Sequence, residues 1–453
     1  MAKKQEKGAV SGLLRGMRDA LRLPDLRRRL FYTLLILVIY RAAAHVPVPG
    51  IDRAALQAAL DPTSGTAQFV NLLDLLSGGA VARFSVLANG INPYINASII
   101  FTLLVPVIPA LQRISEEEGE AGRRKLNQWQ YYVTIPLAAL QAWGQIQFFN
   151  RAGTQPILPQ FGFSDPAFIL PTISVLVSMT AGTMFAIWLG ELITEQGVGN
   201  GISLIIFGGI VSRTPSNVAS VYQTDGWSGI LIFFVLMVLT MFVIVYVQEG
   251  QRRIPVQYGK RVRGRRMYSG GSTHIPLRVN TAGMIPLIFA QSILTFPAVI
   301  AQFFANPGTP GGNFAISLVN FFSGQTTEWY STLLYTVIFF LFVVGFTYFY
   351  TFVMVEQQDL AGTLQRQGGF IPGIRPGRWT EEYINRVYRR ITLVGALFLG
   401  AVAVLPFITQ LFMNTRVLLI TSSGLLIVVG VVVDTMRQLE AQLLMRHYEG
   451  FIK

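Results

Sequence analysis

The chain has no cysteine and only three histidines, His45, His274 and His447, in 453 residues. Disulfides and thiol chemistry are therefore excluded, and histidines so far apart in sequence argue against a histidine-rich metal site. Charge is scarce as well. Asp, Glu, Lys and Arg make up 13% of the residues, against roughly 25% in an ordinary soluble domain. A soluble protein of this length needs more charge than that to cover its outside. What the sequence has instead is apolar residues, 52% of the total, gathered in long runs. A helix needs about 20 such residues to cross a hydrocarbon core roughly 30 Å thick, so the chain reads as an integral membrane protein.

Ten runs qualify: Leu30–Val46, Val86–Leu111, Trp129–Phe149, Phe168–Leu189, Val198–Val211, Ile230–Val247, Ala282–Phe304, Leu333–Val353, Ile391–Leu411 and Val417–Val433. The fifth is short, since 14 residues rise only about 21 Å. Its flank Gly199-Asn200-Gly201 lets it be wedged between other helices and broken at one end. With the N-terminus inside, ten spans place 1–29, 112–128, 190–197, 248–281, 354–390 and 434–453 in the cytoplasm, and those segments hold 30 of the 36 Lys and Arg residues. This is the positive-inside bias. Dropping the fifth run inverts everything after it and puts the basic 248–281 loop outside, so ten spans fit better than nine. The same confinement of charge to alternate loops explains the net charge of +13 without a nucleic-acid partner as the primary role.

The N-terminus does not look like a cleavable leader, because its basic region is about 29 residues long and no small-x-small pattern closely follows the first apolar run. In 10–29, Leu13, Leu14, Met17 and Leu21 stand near helical spacing among Arg15, Arg18 and Arg22. That fits an amphipathic helix on the inner membrane face; a disordered basic tail is the alternative.

Some runs are polar in an informative way. Asn89, Asn92, Pro93 and Asn96 stand inside the second, where unpaired amides facing lipid cost several kcal/mol by rough estimate. They should face a protein seam or water. Before them, Leu75-Leu-Ser-Gly-Gly-Ala-Val-Ala-Arg-Phe84 suits a short compact piece that can move. Gly199–Ser203, Asn280–Pro286 and Thr421–Ile427 repeat the theme, since small and hydroxyl residues allow close helix approach. Together they mark either a central seam or path, or simply a tightly packed bundle.

No chemistry suggests itself. Arg41 and Asp434 lie at span ends and Glu191 and Glu195 in a connector, so no ionisable group is placed near the midplane as a proton-driven transporter needs. No Walker phosphate loop occurs. The chain reads as a non-enzyme without catalytic residues, cofactor or metal, and a secondary transporter of small solutes is the alternative, predicting convergent charges that are not seen.

Two cytoplasmic loops are large for connectors. In 248–281, alternation around Ile254, Val256 and Tyr258 predicts a strand pair or hairpin. In 354–390, Gly368-Gly-Phe-Ile-Pro-Gly-Ile-Arg-Pro-Gly377 rules out continuous helix and makes a rigid irregular tip. Their basic residues are either topology and a solvated face, or a docking surface for a phosphate-rich or acidic partner.

At these residues the sequence resembles the SecY family, the channel subunits of bacterial protein-export translocons, related to the large subunit of the endoplasmic-reticulum translocon. Val46-Pro-Val-Pro-Gly-Ile-Asp52, Ser77–Ala80, Asn92-Pro-Tyr-Ile95, Gly199-Asn-Gly-Ile-Ser203, Arg253-Ile-Pro-Val-Gln-Tyr258 and Pro372-Gly-Ile-Arg-Pro-Gly377 carry the likeness, which runs from about Leu30 to Phe451. It implies an all-α polytopic membrane protein, with ten transmembrane helices in two pseudo-symmetric five-helix halves, 30–211 and 230–433, joined by an external loop 212–229 around an hourglass pore. It further implies an apolar pore ring at Ile91, Ile95, Ile202, Ile206, Ile288 and Ile427. A plug is implied in about 72–85, with Ser77, Gly78, Gly79, Ala80 and Arg83. Spans two, three, seven and eight would line a lateral gate, with Asn92, Asn96, Thr281 and Gln291 as its polar candidates. Arg375, with Arg252, Arg253, Lys260, Arg261, Arg265 and Arg266, would dock a motor ATPase, SecA, or a ribosome and its RNA. The implied partners also include the membrane subunits SecE and SecG, signal peptides and unfolded secretory or membrane proteins, SecDF and YidC, and the lipid of the bacterial plasma membrane, with both termini cytoplasmic. The sequence departs from the family pattern at Asn89, where an aliphatic residue is common, and at Thr421-Ser-Ser-Gly424, which leaves the tenth-span ring position open by one residue.

Overall fold

The architecture is that of a computed structural model, which describes residues 23–59, 79–81, 83–117, 119–152, 156–163, 165–258, 261–263, 266–268, 272–302, 304, 314–322, 329–358, 360–412 and 421–449. The basic segment before Leu23, Ser77 and Gly78 of the expected plug, and Lys260 and Arg265 lie outside the described residues. The chain divides into two compact units. One draws on Met1–Ala219, Thr295–Thr326 and Val431–Lys453, the other on Ser220–Leu294 and Thr327–Gly430.

The helices are α1 (Pro24–Ala43), α2 (Arg53–Ala59), α3 (Asn92–Leu104), α4 (Pro109–Glu117), α5 (Gly119–Ala152), α6 (Pro166–Gln196), α7 (Gly201–Glu249), α8 (Ile285–Gln302), α9 (Phe314–Phe322), α10 (Trp329–Gln358), α11 (Leu360–Arg366), α12 (Arg378–Phe412) and α13 (Thr421–Glu449). Every one of the ten apolar runs contains helix. Proline stands in the first two positions of five of these helices, at Pro24, Pro93, Pro109, Pro166 and Pro286, where its missing N–H and fixed φ do no harm.

Among the described residues, four helices are long and apolar enough to cross a membrane: α6, α7 from Gly226 onward, α10 and α12. The protein is thus a multi-pass membrane protein. A fifth candidate is the pair formed by α3 and the start of α4, bent by 102°. The second apolar run is therefore no single straight span. Its first residues fold as tight turns, Asn92-Pro93 starts the helix, and α3 has only 13 residues. The fifth run differs in the other direction. It opens at Gly201, as its flank suggested, but the helix continues through Pro215 until Gly226, whose φ of 65° and ψ of −153° break it. That region of backbone space is open essentially to glycine alone. Segment 212–229, expected as an outside connector, is thus helical on both sides of the break.

In the first unit, lipid tails are as apolar as leucine, so helices associate through close packing and hydrogen bonds more than through hydrophobic burial. A Cβ at Gly201 would lie 1.8 Å from the Gly190 carbonyl oxygen, and one at Gly182 2.1 Å from that of Val86. α6 therefore meets α7 and the 84–91 turns backbone to backbone. The N-terminal end of α1 is tied in by Leu26, which clusters with Val198 and Leu439, and by the Val198 N–H donating to Thr33 Oγ1 at 3.2 Å.

The second unit contains the sheet. β1 (Gln251–Tyr258) pairs antiparallel with β4 (Ser272–Arg278), Ile254 facing Ile275 and Arg253 facing Pro276. Between them β2 (Arg261–Arg263) and β3 (Arg266–Tyr268) form a short hairpin. The expected strand pair is there. Its other edge receives β5 (Gly369–Phe370), through Gln257 opposite Phe370 and Tyr258 opposite Gly369, giving the order β4-β1-β5. Alternation puts Ile254 and Val256 on one face, where they join Leu277, Leu364, Ile371, Ile384, Val387 and Tyr388 in a small core. The two large loops and the first turns of α12 thus form one body with its own hydrophobic centre.

Candidate functional site

The expected plug and the first ring positions adjoin a cap of turns in the first unit. Its core is built from Val48, Ala55 and Leu56, from Val81, Phe84 and Ala88, from Ile146, Phe148 and Phe149, from Ile157 and Leu158, and from Ala298, Ala301 and Val319. These stretches are far apart in sequence and each is too short to hold itself, so backbone bonds stitch them. Val48 N–H donates to the Phe84 carbonyl at 3.1 Å and Val86 N–H to the Val46 carbonyl at 3.0 Å, on either side of a Pro47–Ser85 bridge. Asp52 N–H donates to the Ile157 carbonyl at 3.0 Å. Asn150 clamps Leu158 twice, donating from Nδ2 to its carbonyl and accepting its N–H at Oδ1.

Of the described plug candidates, Gly79 and Ala80 are buried and Arg83 is exposed. Phe84 is fully buried and meets Phe149 edge to face at 5.2 Å. Its φ of 44° makes it the non-glycine residue with positive φ among the described residues, a conformation that persists only when the surroundings impose it. Asn89 is fully buried and donates from Nδ2 to the Ala138 carbonyl of α5 at 2.9 Å. It faces a protein seam through that nitrogen, while its Oδ1 is buried without a hydrogen-bond partner among the described residues. Asn92 and Asn96 are half-buried.

The ring candidates divide between the units. In the first, Ile91 caps α3 and Ile95 sits one turn on, its N–H donating to the Ile91 carbonyl; both are buried, as is Ile206, while Ile202 is half-buried beside Gly190. In the second, Ile427 is buried and Ile288 half-buried. Of the remaining gate candidates, Thr281 Oγ1 donates to the Arg278 carbonyl at 3.0 Å, and Gln291 is buried. Nearby, Asn280 Nδ2 donates to the Gly283 carbonyl, fastening the turn before α8. In the first unit Tyr94 stacks on Tyr131, whose hydroxyl donates to Glu191 Oε1, a linkage between α3, α5 and α6 with no signal in the sequence.

The docking candidates are exposed at Arg252, Arg253 and Arg375; Arg261 and Arg266 stand on β2 and β3. The tip that carries Arg375 is firmly built. Ile371 and Ile374 are packed in or against the small core on one side. On the other, buried Thr380 donates from Oγ1 to the Arg375 carbonyl at 2.9 Å. Gly373 and Gly377, at φ of 82° and 99°, turn the chain between these anchors. The backbone that presents this cation is thus ordered before it meets an anion. In the same unit a cleft of about 170 Å³ is lined by Phe352, Val355, Leu360, Ala361, Glu381, Ile384 and Asn385.

Against known proteins, the SecY family model matches residues 85–436. The chain belongs to the SecY family. Among its relatives, the protein translocase subunit SecY of Halalkalibacterium halodurans is 41% identical over 453 residues, covering 97% of this chain and 100% of the relative. That of Thermotoga maritima is 40% identical over 442 residues, covering 96% and 97%. The fold is also that of a solved protein-conducting channel, with a TM-score of 0.58 at 18% identity over 94% of this chain and 96% of that one. Sec61 from a canine ribosome-channel complex gives 0.55 at 18% identity over the same shares. The SecY match starts at Ser85, so it covers all the ring, gate and docking candidates, while Gly79, Ala80 and Arg83 fall just before it.

Proposed function

We propose that this chain is a protein-conducting channel, passing unfolded polypeptides across a bacterial plasma membrane and releasing apolar segments sideways into lipid. The observation that carries this is the family match from Ser85 to Met436, which takes in the turns from Ser85 to Ile91 and the two-loop sheet. The physical need is plain. A peptide group bare in hydrocarbon costs several kcal/mol by rough estimate, so a hydrated chain requires a wet route. The ten apolar runs are read as ten spans in two halves, 30–211 and 230–433, with both termini in the cytoplasm. Ile91, Ile95, Ile202, Ile206, Ile288 and Ile427 form the waist. A narrow apolar ring holds back ions by dewetting, and isoleucine rotamers let it close round a threading polypeptide.

Spans two, three, seven and eight form the gate to lipid. The exposed arginines of the sheet and Arg375 dock the cytoplasmic driver, a motor ATPase or a ribosome; the solved Sec61 and Ssh1 likenesses come from ribosome-bound complexes. Small membrane subunits of the SecE and SecG kind complete the assembly. The test is reconstitution in vesicles with such subunits, purified motor, ATP and an unfolded secretory precursor. Precursor protected from added protease is the expected result. A preparation that binds motor and precursor yet protects none overturns the reading.

A further inference from the structure

We infer that the cap around Phe84 is built on bound water, held by the Gln145 amide inside an otherwise apolar cluster. The inference stands apart from the channel reading, since it concerns what the cap contains and not what the protein conducts. Gln145 is 2% exposed. On α5, Ala142 stands three residues before it, and Phe148 and Phe149 three and four residues after it, the spacings that share a helix face. Those residues belong to the cap core, as does the adjacent Ile146. The Gln145 side chain therefore leaves the helix on the side of the cluster. Both of its amide atoms, Oε1 and Nε2, are buried without a hydrogen-bond partner among the described residues.

Gln145 is not alone. Six buried side-chain atoms lack such a partner among the described residues, and four of them belong to Gln145, Asn89 and Thr180. Asn89 follows Ala88 in the chain and Thr180 follows Met179, both of them members of the same cluster. Asn89 donates from Nδ2 to the Ala138 carbonyl, which leaves its Oδ1, and Thr180 has its Oγ1. The unmet groups thus come from the turns before α3, from α5 and from α6, the elements that the cluster joins. Buried polar groups are unfavourable unless hydrogen-bonded, so native structures leave few of them unpaired. The chemistry names the guest. A glutamine amide presents two N–H donors and a carbonyl acceptor, so what meets it must accept and donate at once. A simple ion does only one of these, and it would have to shed its hydration among aromatic and aliphatic side chains. Water does both, and a buried water typically makes about three hydrogen bonds. Asn89 Oδ1 and Thr180 Oγ1 are its further anchors, through the same molecule or a second one.

The test is a cryo-EM map of the protein in its assembly, at a resolution that shows ordered water, for the unaltered chain and for Gln145→Leu. The expected result is a peak within hydrogen-bond reach of Gln145 Oε1 or Nε2, about 2.7–3.2 Å, present in the first map and lost from the second. Amide atoms paired directly with protein or lipid, or a seam with no peak, overturn the inference. Thermal unfolding in detergent gives a second reading. A dry, unpaired amide is a flaw that leucine removes, so in that case Gln145→Leu raises the midpoint. With water bound, the substitution empties the site and strands the other anchors, and the midpoint is expected to fall by about 2 °C or more. A midpoint unchanged or raised overturns the inference. If Gln145→Leu does not fold, the map of the unaltered chain decides alone.

Discussion

The cap around Phe84 and the sheet that carries Arg375 solve the same problem, holding a short irregular segment still, by different means. In the sheet, water lies on one side and a core on the other. Alternation therefore suffices, with Ile254 and Val256 turned in and Arg253 and Gln257 turned out. In the cap and the helices beside it, apolar side chains face both lipid and protein, so hydrophobicity alone cannot choose a packing. There the choice falls to backbone contacts: Gly201 on Gly190, Gly182 on Val86, Val48 on Phe84. Membrane parts of the molecule are thus specified by what is missing at a few positions, and aqueous parts by what is present.

That contrast can be broken first at Gly201. Gly201→Val drives a branched side chain into the Gly190 carbonyl, with no flexible neighbour to yield, and is expected to destabilise by roughly 3 kcal/mol or more. The measurement is the unfolding midpoint in detergent, and an unchanged midpoint would show that α6 and α7 are not in backbone contact. Phe84→Ala comes next, expected to cost about 3 kcal/mol through the emptied cap by the same measurement, although the deletion relieves the positive φ only slightly. Arg375→Glu sharpens the other side. Stability should change by less than about 0.5 kcal/mol, while motor-driven transport falls by about tenfold or more, as the loss of a charged hydrogen bond of roughly 1.5–3 kcal/mol implies. Transport at the normal rate would remove Arg375 from docking. The smallest effect is reserved for Thr380→Val, which removes the bond to the Arg375 carbonyl. About 1 kcal/mol of stability should go with it, and transport should fall less than for Arg375→Glu; a larger fall would mean the frame matters more than the charge.

Much of this could be read from the residues, and what could not has a physical reason. The β1–β4 pair was legible because Arg253-Ile-Pro-Val-Gln-Tyr258 alternates beside water. β5 was not, since two residues, Gly369 and Phe370, carry no pattern and their partners lie far back in the sequence. The helices showed in the apolar runs; the bend after α3 was passed over although Pro106 and Pro109 stand in it, because Leu103, Leu104, Val105, Val107 and Ile108 keep the run as apolar as any span and proline there breaks the helix without breaking the hydropathy. Asn89 was expected to face a protein seam or water, and its Nδ2 meets the Ala138 carbonyl. The cap itself was invisible: its strongest link is a single-residue bridge, and Phe84 gives no hint of its unusual backbone. The ring isoleucines are the hardest case, because an isoleucine facing lipid and one facing a pore are the same letter.

The addition of Gly369 and Phe370 to the edge of β1 has a mechanical consequence. Two loops separated by three helices in the chain are fused into a single lever arm. A pull on the tip near Arg375 is delivered through Tyr258 and Gln257 to the strand that emerges from α7. Whatever grips either loop therefore loads both.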